Sequence, residues 1–390
     1  MKRLAVFAVL CTLVASTPAY AQHLQFGSIK VYTRNLYIGA DFDPVLAALQ
    51  GSGDFSAVAR EVFTDITNTN FPQRAKALAG EVATLRPHLI GLQEVFDFRL
   101  NGQHGDLPFI DYLETLLAAL AKRGLHYRVA AVVHNIDLTF NVDLPEFPAG
   151  PAEIRVLDRD VILARSDVET RVADFHCAHP SEDGCNYATL LPLDLPDPFP
   201  DTFVFRGFVG VDAVVDGETY RVVTTHLEVR EAGGQDVTFV QQAQAAELVG
   251  TIGLATPPKR PVILLGDFNS RPTDPVGSPY SIIRAAAYAD TWQQNILKSR
   301  IPEGFTCCQS SDLTNDASRL DERIDIIFVK NNLGMLPFSF PGLVFSVVVG
   351  DEPISDAPPR WSSDHAGPFA LLHGIPLFER QGSPRVAGME

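Results

Sequence analysis

PVILLGDFNS, residues 261–270, sets an apolar run against a polar end, with Gly266 ahead of Asp267 and Asn269. A short, wholly apolar run bounded by Pro and Gly reads as a strand buried on both faces. Its polar end then projects from a sheet rim. The same build recurs: KVYTR (30–34) leads to Asn35, LIGLQEV (89–95) carries Glu94, VVTTHLE (222–228) carries His226, ERIDIIF (322–328) carries Asp325, and SSDHAG (362–367) carries Asp364 and His365. Strand ends along one rim give converging side chains a rigid base. Singly, each has an ordinary explanation: an acid after a strand is usually a solvated cap, and a lone histidine is usually structural. Asp325 differs, because a carboxylate inside an apolar strand is costly to bury unpaired. It requires a partner.

Working outward, Ser28–Arg34 alternates as a strand. Phe71–Arg86 carries Ala75, Leu78, Ala79 and Val82 on a helical stripe that Pro87 ends. Leu89–Gln93 is a buried strand, and Leu107–Arg123 reads as a helix stopped by Gly124. Asp160–Ala164, Phe203–Val215 and Tyr220–His226 read as strands, the last two joined as a hairpin at Asp216-Gly217. Helices are expected over Asp236–Ile252 and Pro279–Ala287, and closing strands over Arg323–Lys330, Leu343–Val349 and Gly367–Leu372. Two stretches rich in Pro and Asp, Asn135–Pro151 and Cys177–Pro200, read as inserted loops. Hairpins mixed with β-α-β passages imply two sheets with partly antiparallel pairing and helices outside.

At 390 residues, 46% hydrophobic and 20% charged, the chain can bury a sizeable core, which excludes a disordered or fibrous protein. With 31 Lys and Arg against 47 Asp and Glu, the net charge of −16 provides no electrostatic footprint for a polyanion. Residues 1–21 read as a secretory signal: Lys2 and Arg3, an apolar run from Leu4 to about Ala15, and Ala19-Tyr20-Ala21, with cleavage expected after Ala21. A single domain over 22–376 and a C-terminal tail over 377–390 follow. The mature chain is expected to be secreted or periplasmic and monomeric, and no later stretch is long and apolar enough to span a membrane. Beyond Cys11, an oxidising compartment favours disulfides among Cys177, Cys185, Cys307 and Cys308. Cys177 with Cys185 is the favoured pair. Cys307 and Cys308 form a vicinal bridge or cross to the first pair. A zinc site on these thiols with His176 or His179 lacks the C-x-x-C element that would make it specific.

The ordered motifs, Asn after the first strand, QEV, THL, GDFN, then RID followed by SDH, resemble those of the endonuclease/exonuclease/phosphatase superfamily with its deoxyribonuclease I-like fold. The resemblance spans nearly the whole mature chain. It implies a four-layer α/β sandwich, with two mixed, mostly antiparallel sheets packed face to face and helices outside, and divalent-metal-dependent cleavage of phosphate esters. The residue types suit that reaction on their own chemistry: the oxygen donors Asn35 and Glu94 favour Mg²⁺ or Mn²⁺ over softer metals. Asp267 matches the family position that aligns and deprotonates the attacking water. Asn269, expected on the same face of an extended segment, is a neutral donor to developing charge. His365 matches the family histidine that contacts the scissile phosphate, with Asp325 holding its tautomer and Asp364 in the metal or water network. His226 matches the histidine of the nuclease and sphingomyelinase branches and is the candidate to protonate the leaving oxygen. Asp41 is a candidate second carboxylate for the metal, although it and Asp43 equally suit a capped turn before a helix at about Pro44. Arg159 and Arg165 flank RDVILAR and read as surface ion pairs rather than phosphate ligands.

The substrate is a phosphate ester left open among nucleic acid, phospholipid and small organophosphate. The acidic inserted loops argue against stable nucleic-acid binding. Phe140, Leu144, Phe147 and the 199–205 run would serve a lipid phosphodiesterase if exposed, but more often such residues pack loops down. A non-catalytic binding protein on the same fold is the competing class.

Overall fold

A computed structural model describes residues 27–49, 51, 54–101, 107–142, 152–193, 202–232, 234–258, 260–297, 303–330 and 343–373. The signal and tail readings lie outside these residues. Two eight-stranded sheets form the centre. In the first, Ser28–Asn35 pairs parallel with Leu89–Gln93 and antiparallel with Gly367–His373, whose other edge takes Leu343–Val349. Leu89–Gln93 continues antiparallel to the long strand Ala152–Arg165, which also pairs with Tyr127–Val142 and Asp97–Asn101. In the second, Val262–Asp267 lies between Glu218–His226, parallel, and Asp325–Lys330, antiparallel. Glu218–His226 continues antiparallel to Gly207–Val215 through the turn at Asp216-Gly217, both with positive φ as the hairpin's twist requires.

The sheets face one another across an apolar layer that includes Val31, Leu89 and Ile162 from the first and Val211, Val222, Ile263 and Ile327 from the second. At Gly91 they approach so closely that any Cβ would run into Leu265 and Thr224 of the facing sheet. Helices Phe55–Asn68, Phe71–Leu85 and Tyr112–Lys122 cover the outer face of the first sheet. Thr238–Ala255 and Pro279–Ala285 cover that of the second. The order is therefore helix, sheet, sheet, helix, the four-layer sandwich expected.

Several local readings are corrected. Leu107–Asp111 is a strand, and the helix begins only at Tyr112, where Asp111 caps it by accepting from the Leu113 and Glu114 amides. Phe55–Asn68, capped by Asp54, is a helix that the reading did not contain. Tyr127–Val142 takes half of the first supposed loop into the first sheet; residues 143–151 lie outside the described ones. The second holds short strands His179–Ser181, Gly184–Asn186 and Leu191–Leu193. Phe203–Val215 is two strands, Thr202–Val204 and Gly207–Val215, with Arg206 at the break. Cys177 bonds to Cys185 and Cys307 to Cys308, so the pairs do not cross and no thiols remain for zinc at His176 or His179.

Candidate active site

Register builds the site. At the rim of the second sheet His226 stands opposite Asp267, and Asp267 opposite Asp325, so three neighbouring strands end in a row of polar side chains. On the first sheet Asn35 is paired with Gln93, one residue before Glu94. Two polar bridges cross the gap. Gln93 Nε2 donates to Thr224 Oγ1 at 2.7 Å, and Asn35 Nδ2 donates to Glu94 Oε1 at 2.8 Å and to Asp267 Oδ2 at 3.1 Å. The loop carrying Asp364 and His365 is tied to the first strand: Ser363 Oγ donates to Asn35 O at 2.9 Å, Arg34 Nη2 donates to Ser362 Oγ at 2.7 Å, and Arg34 Nη1 donates to the His365 carbonyl.

Asn35, Glu94, His226, Asp267, Asn269, Asp325, Asp364 and His365 are thus brought together at one end of the gap between the sheets. Asp325 has the partner its burial demanded: its Oδ2 lies 2.7 Å from His365 Nδ1. Asp267 Oδ2 is 3.6 Å from His226 Nε2 and 3.8 Å from His365 Nδ1. Asp364 Oδ1 lies 3.9 Å from His365 Nε2. Glu94 and Asn269 both adopt positive φ, strain of the kind that persists where surrounding structure over-determines it. Asn269 is therefore not on an extended segment, as the sequence reading had it. A turn closed by its own N–H donating to Asp267 Oδ1 at 2.9 Å places its side chain, with Nδ2 3.2 Å from His226 Nε2.

Two expected roles change. Asn35 Oδ1 accepts from the Tyr37 N–H at 2.8 Å, which fixes the amide with its nitrogen towards the carboxylates. As oriented it holds Glu94 and Asp267 in place rather than offering an oxygen to a metal. Asp41 is exposed and accepts from the Asp43 N–H at 3.0 Å, the capped turn ahead of the helix Asp43–Leu49. Arg159 is buried rather than superficial, paired with Asp111 at 2.7 Å and donating to the Val95 carbonyl beside Glu94, and Arg165 pairs with Asp167 at 2.6 Å, so both guanidiniums are engaged within the protein.

Sequence reasoning missed Arg206. Its Nη1 donates to His226 Nδ1 at 3.1 Å, and its Nη2 lies 3.5 Å from Glu228 Oε1. An arginine at the start of a strand antiparallel to the THL strand was the available signal. A guanidinium and an amide NH2 can only donate, and a neutral imidazole accepts at one nitrogen alone, so Arg206 at Nδ1 and Asn269 at Nε2 compete for the ring's single lone pair. Burial, Arg206 and His365 together hold His226 well below the usual histidine range. His365 is the opposite case: burial opposes its charge, but Asp325, Asp364 and Asp267 outweigh it and hold the imidazolium well above that range. Burial and the neighbouring Asp325 push Asp267 up to about 6. Burial likewise raises Asp364 to about 6, with His365 opposing and Glu94 adding. Glu94 is raised by burial against the hydrogen bond from Asn35.

The arrangement fits a cation. The Asp267, Asp325 and His365 donors lie within 4.8 Å of one another, with Asp325 committed to His365, while Glu94 lies close enough to raise Asp364 and is tied through Asn35 to Asp267. Asp325 raising Asp267 and Glu94 raising Asp364 mark an oxygen-rich set short of positive charge, which suits a hard divalent ion.

A model of the Endonuclease/Exonuclease/phosphatase family matches residues 66–365. No curated protein matches the chain. Among solved structures, an endonuclease/exonuclease/phosphatase family protein from Bacteroides thetaiotaomicron is 17% identical with TM-score 0.50, covering 90% of this chain and 99% of that one. The mannosyl-6-phosphatase of the same species is 16% identical with TM-score 0.48, covering 88% and 99%. D. rerio TDP2 complexed with single-strand DNA product is 16% identical with TM-score 0.47, covering 88% and 98%. At these identities the first likeness is one of fold.

Proposed function

Because the chain belongs to the endonuclease/exonuclease/phosphatase family, we propose that it is a divalent-metal-dependent phosphoesterase that hydrolyses phosphodiesters by in-line attack of an activated water. The observation that carries this reading is the row His226, Asp267, Asp325 in register at one rim, with His365 closing on Asp325. Asp267 is the base: its Oδ1 is fixed by the Asn269 backbone N–H, and burial beside Asp325 pushes its carboxyl up to about 6, so near neutral pH it is ionised yet basic enough to accept a proton from water. His365, held as imidazolium by Asp325, is the charged donor to the phosphate. As the charged histidine of the two, it is also the proposed proton source for the leaving oxygen. His226, held neutral beside Arg206, is a hydrogen-bonding partner of the reacting centre, and the leaving-group proton that the sequence reading gave to it is assigned in this proposal to His365. Glu94 and Asp364 would hold the cation, with Asn35 orienting Glu94. Mg²⁺ or Mn²⁺ there would offset the charge on the non-bridging oxygens.

The acidic balance of the chain argues for a small or lipid diester rather than tightly held nucleic acid. The described part of the aromatic 199–205 run is divided, Phe203 being exposed while Val204 packs against Leu191 and Val240. No helix among the described residues is long and apolar enough to cross a membrane. Secretion after cleavage at Ala21 is part of the proposal, tested by the mass of the exported chain. The activity is tested by offering a small aryl diester, an aryl monoester, DNA and a choline phospholipid, each with Mg²⁺ and again with chelator. Chelator-sensitive turnover of a diester is the expected result. No turnover of any of them would leave a non-catalytic binding protein.

A further inference from the structure

We propose that Cys307 and Cys308, once reduced to a dithiol, bind a thiophilic divalent cation, Zn²⁺, together with Nε2 of His365, and that this occupancy blocks hydrolysis. The two sulfurs and a ring nitrogen of His365 lie within 4.8 Å of one another, with Cys308 Sγ 3.9 Å from Nε2. Zn–S near 2.3 Å and Zn–N near 2.0–2.1 Å give a tetrahedral edge of roughly 3.5 Å, so the nitrogen and sulfur need to close by only a few tenths of an ångström. The other ring nitrogen is already bonded to Asp325, the carboxylate–histidine arrangement that orients metal-binding imidazoles. Asp364 Oδ1, 3.9 Å from Nε2, or water would complete the shell.

The placement is built into the backbone. The segment bearing the cysteines is stitched to the one bearing His365 on both sides: Gln309 N–H donates to Asp364 O at 2.7 Å, and Ala366 N–H donates to Thr306 O at 2.7 Å. Thr306 Oγ1 further accepts from the Asp325 N–H at 3.1 Å. Cys307 is buried, while Cys308 is half-buried beside Nε2. Neither cysteine has a part in the hydrolytic scheme, and their softness opposes the hard oxygen set of Glu94 and Asp364, so the two sites select different metals. In the balanced sequence a small dithiol opens the S–S bond, leaving two thiols here and closing to its own disulfide. On binding, both thiols and Nε2–H release their protons to water. The cation then occupies the nitrogen that would face the phosphate. The inhibition rests on the proposed role of His365; the binding does not.

The test uses the full chain, reduced with a dithiol that is then removed without air, in excess Mg²⁺ to fill the oxygen site. Titration with Co²⁺ should give thiolate-to-metal charge-transfer absorption saturating at about one equivalent beyond any signal from Cys177 and Cys185, and reversed by Zn²⁺. The oxidised chain and the Cys307→Ser/Cys308→Ser double variant should lack that component, and His365→Ala should weaken it about 10- to 100-fold. In parallel Zn²⁺ should lower diester turnover of the reduced chain at least about 10-fold and leave the oxidised chain and the double variant unchanged. A reduced chain whose signal equals that of the double variant, or is indifferent to His365→Ala, overturns the site. Turnover that survives saturating Zn²⁺ overturns the inhibition. Should no substrate be turned over, the cobalt titration still decides the site by itself.

Discussion

The two histidines at the rim sit a few ångströms from the same carboxylate and are driven in opposite directions. His365 is surrounded by Asp325, Asp364 and Asp267 and keeps its charge. His226 has Arg206 on one nitrogen and is held neutral. Burial is common to both and favours neutrality in each, so the sign is decided by which charges lie in contact. A residue type and its position on a strand therefore do not settle its protonation state. One site can hold an imidazolium and a neutral imidazole side by side because Arg206 bonds one ring while Asp325, with Asp364 and Asp267 near, bonds the other.

That contrast can be broken from either side. The largest effect is expected from His365→Ala, which removes the charged donor. Diester turnover should fall about 10³- to 10⁴-fold with the fold intact by circular dichroism. His226→Ala should lose about 10²-fold or more, because a neutral hydrogen bond to the reacting centre is lost. Near-normal turnover by either variant would remove that residue from the site. Asp325→Asn should cost less and show itself in the pH profile. Without the carboxylate that holds His365 up, the alkaline limb of activity should move to lower pH; an unmoved limb would mean that His365 titrates independently of Asp325.

The smallest expected effect is on stability. Asp267 and Asp364 are raised in the folded chain, so the fold binds protons there that the unfolded chain releases. Stability should therefore fall as pH rises from the ordinary aspartate range to about 6, above which both are ionised in either state. A cation bound among these acids offsets the repulsion. The rise in Tm on adding Mg²⁺ should be larger above about pH 6 than at about pH 5, and equal rises would place the cation elsewhere.

Much of this was legible because strand ends announce themselves. The apolar run before Asp267 and the interior position of Asp325 predicted a rim residue and a buried acid with a partner, and both follow from how poorly a carboxylate tolerates an apolar strand. What the linear pattern hid was contact across the fold. Arg206 lies at a break in a stretch that reads as one strand, and only strand pairing brings it behind His226. Asn35 was legible as a site residue but not its orientation, which depends on the Tyr37 amide. The helical reading of Leu107–Asp111 failed because pairing with Asp97–Asn101 overrode local pattern. The first loop was misread because pairing with Ala152–Arg165 absorbs polar residues that look like turn formers, and the second because its short strands pair with one another, with Thr202–Val204 and with Gly207–Val215.

The central claim, that these scattered groups form one metal-dependent hydrolytic site, is most directly tested with Asp267→Asn. This change keeps the size of the side chain while removing its charge and basicity and turning one acceptor oxygen into a donor. Turnover of a small aryl phosphodiester at saturating Mg²⁺ should drop at least about 10²-fold relative to the wild-type chain, with the near-ultraviolet circular dichroism of the two superimposable. Equal turnover by the two chains, or wild-type turnover that is indifferent to chelator, would contradict it.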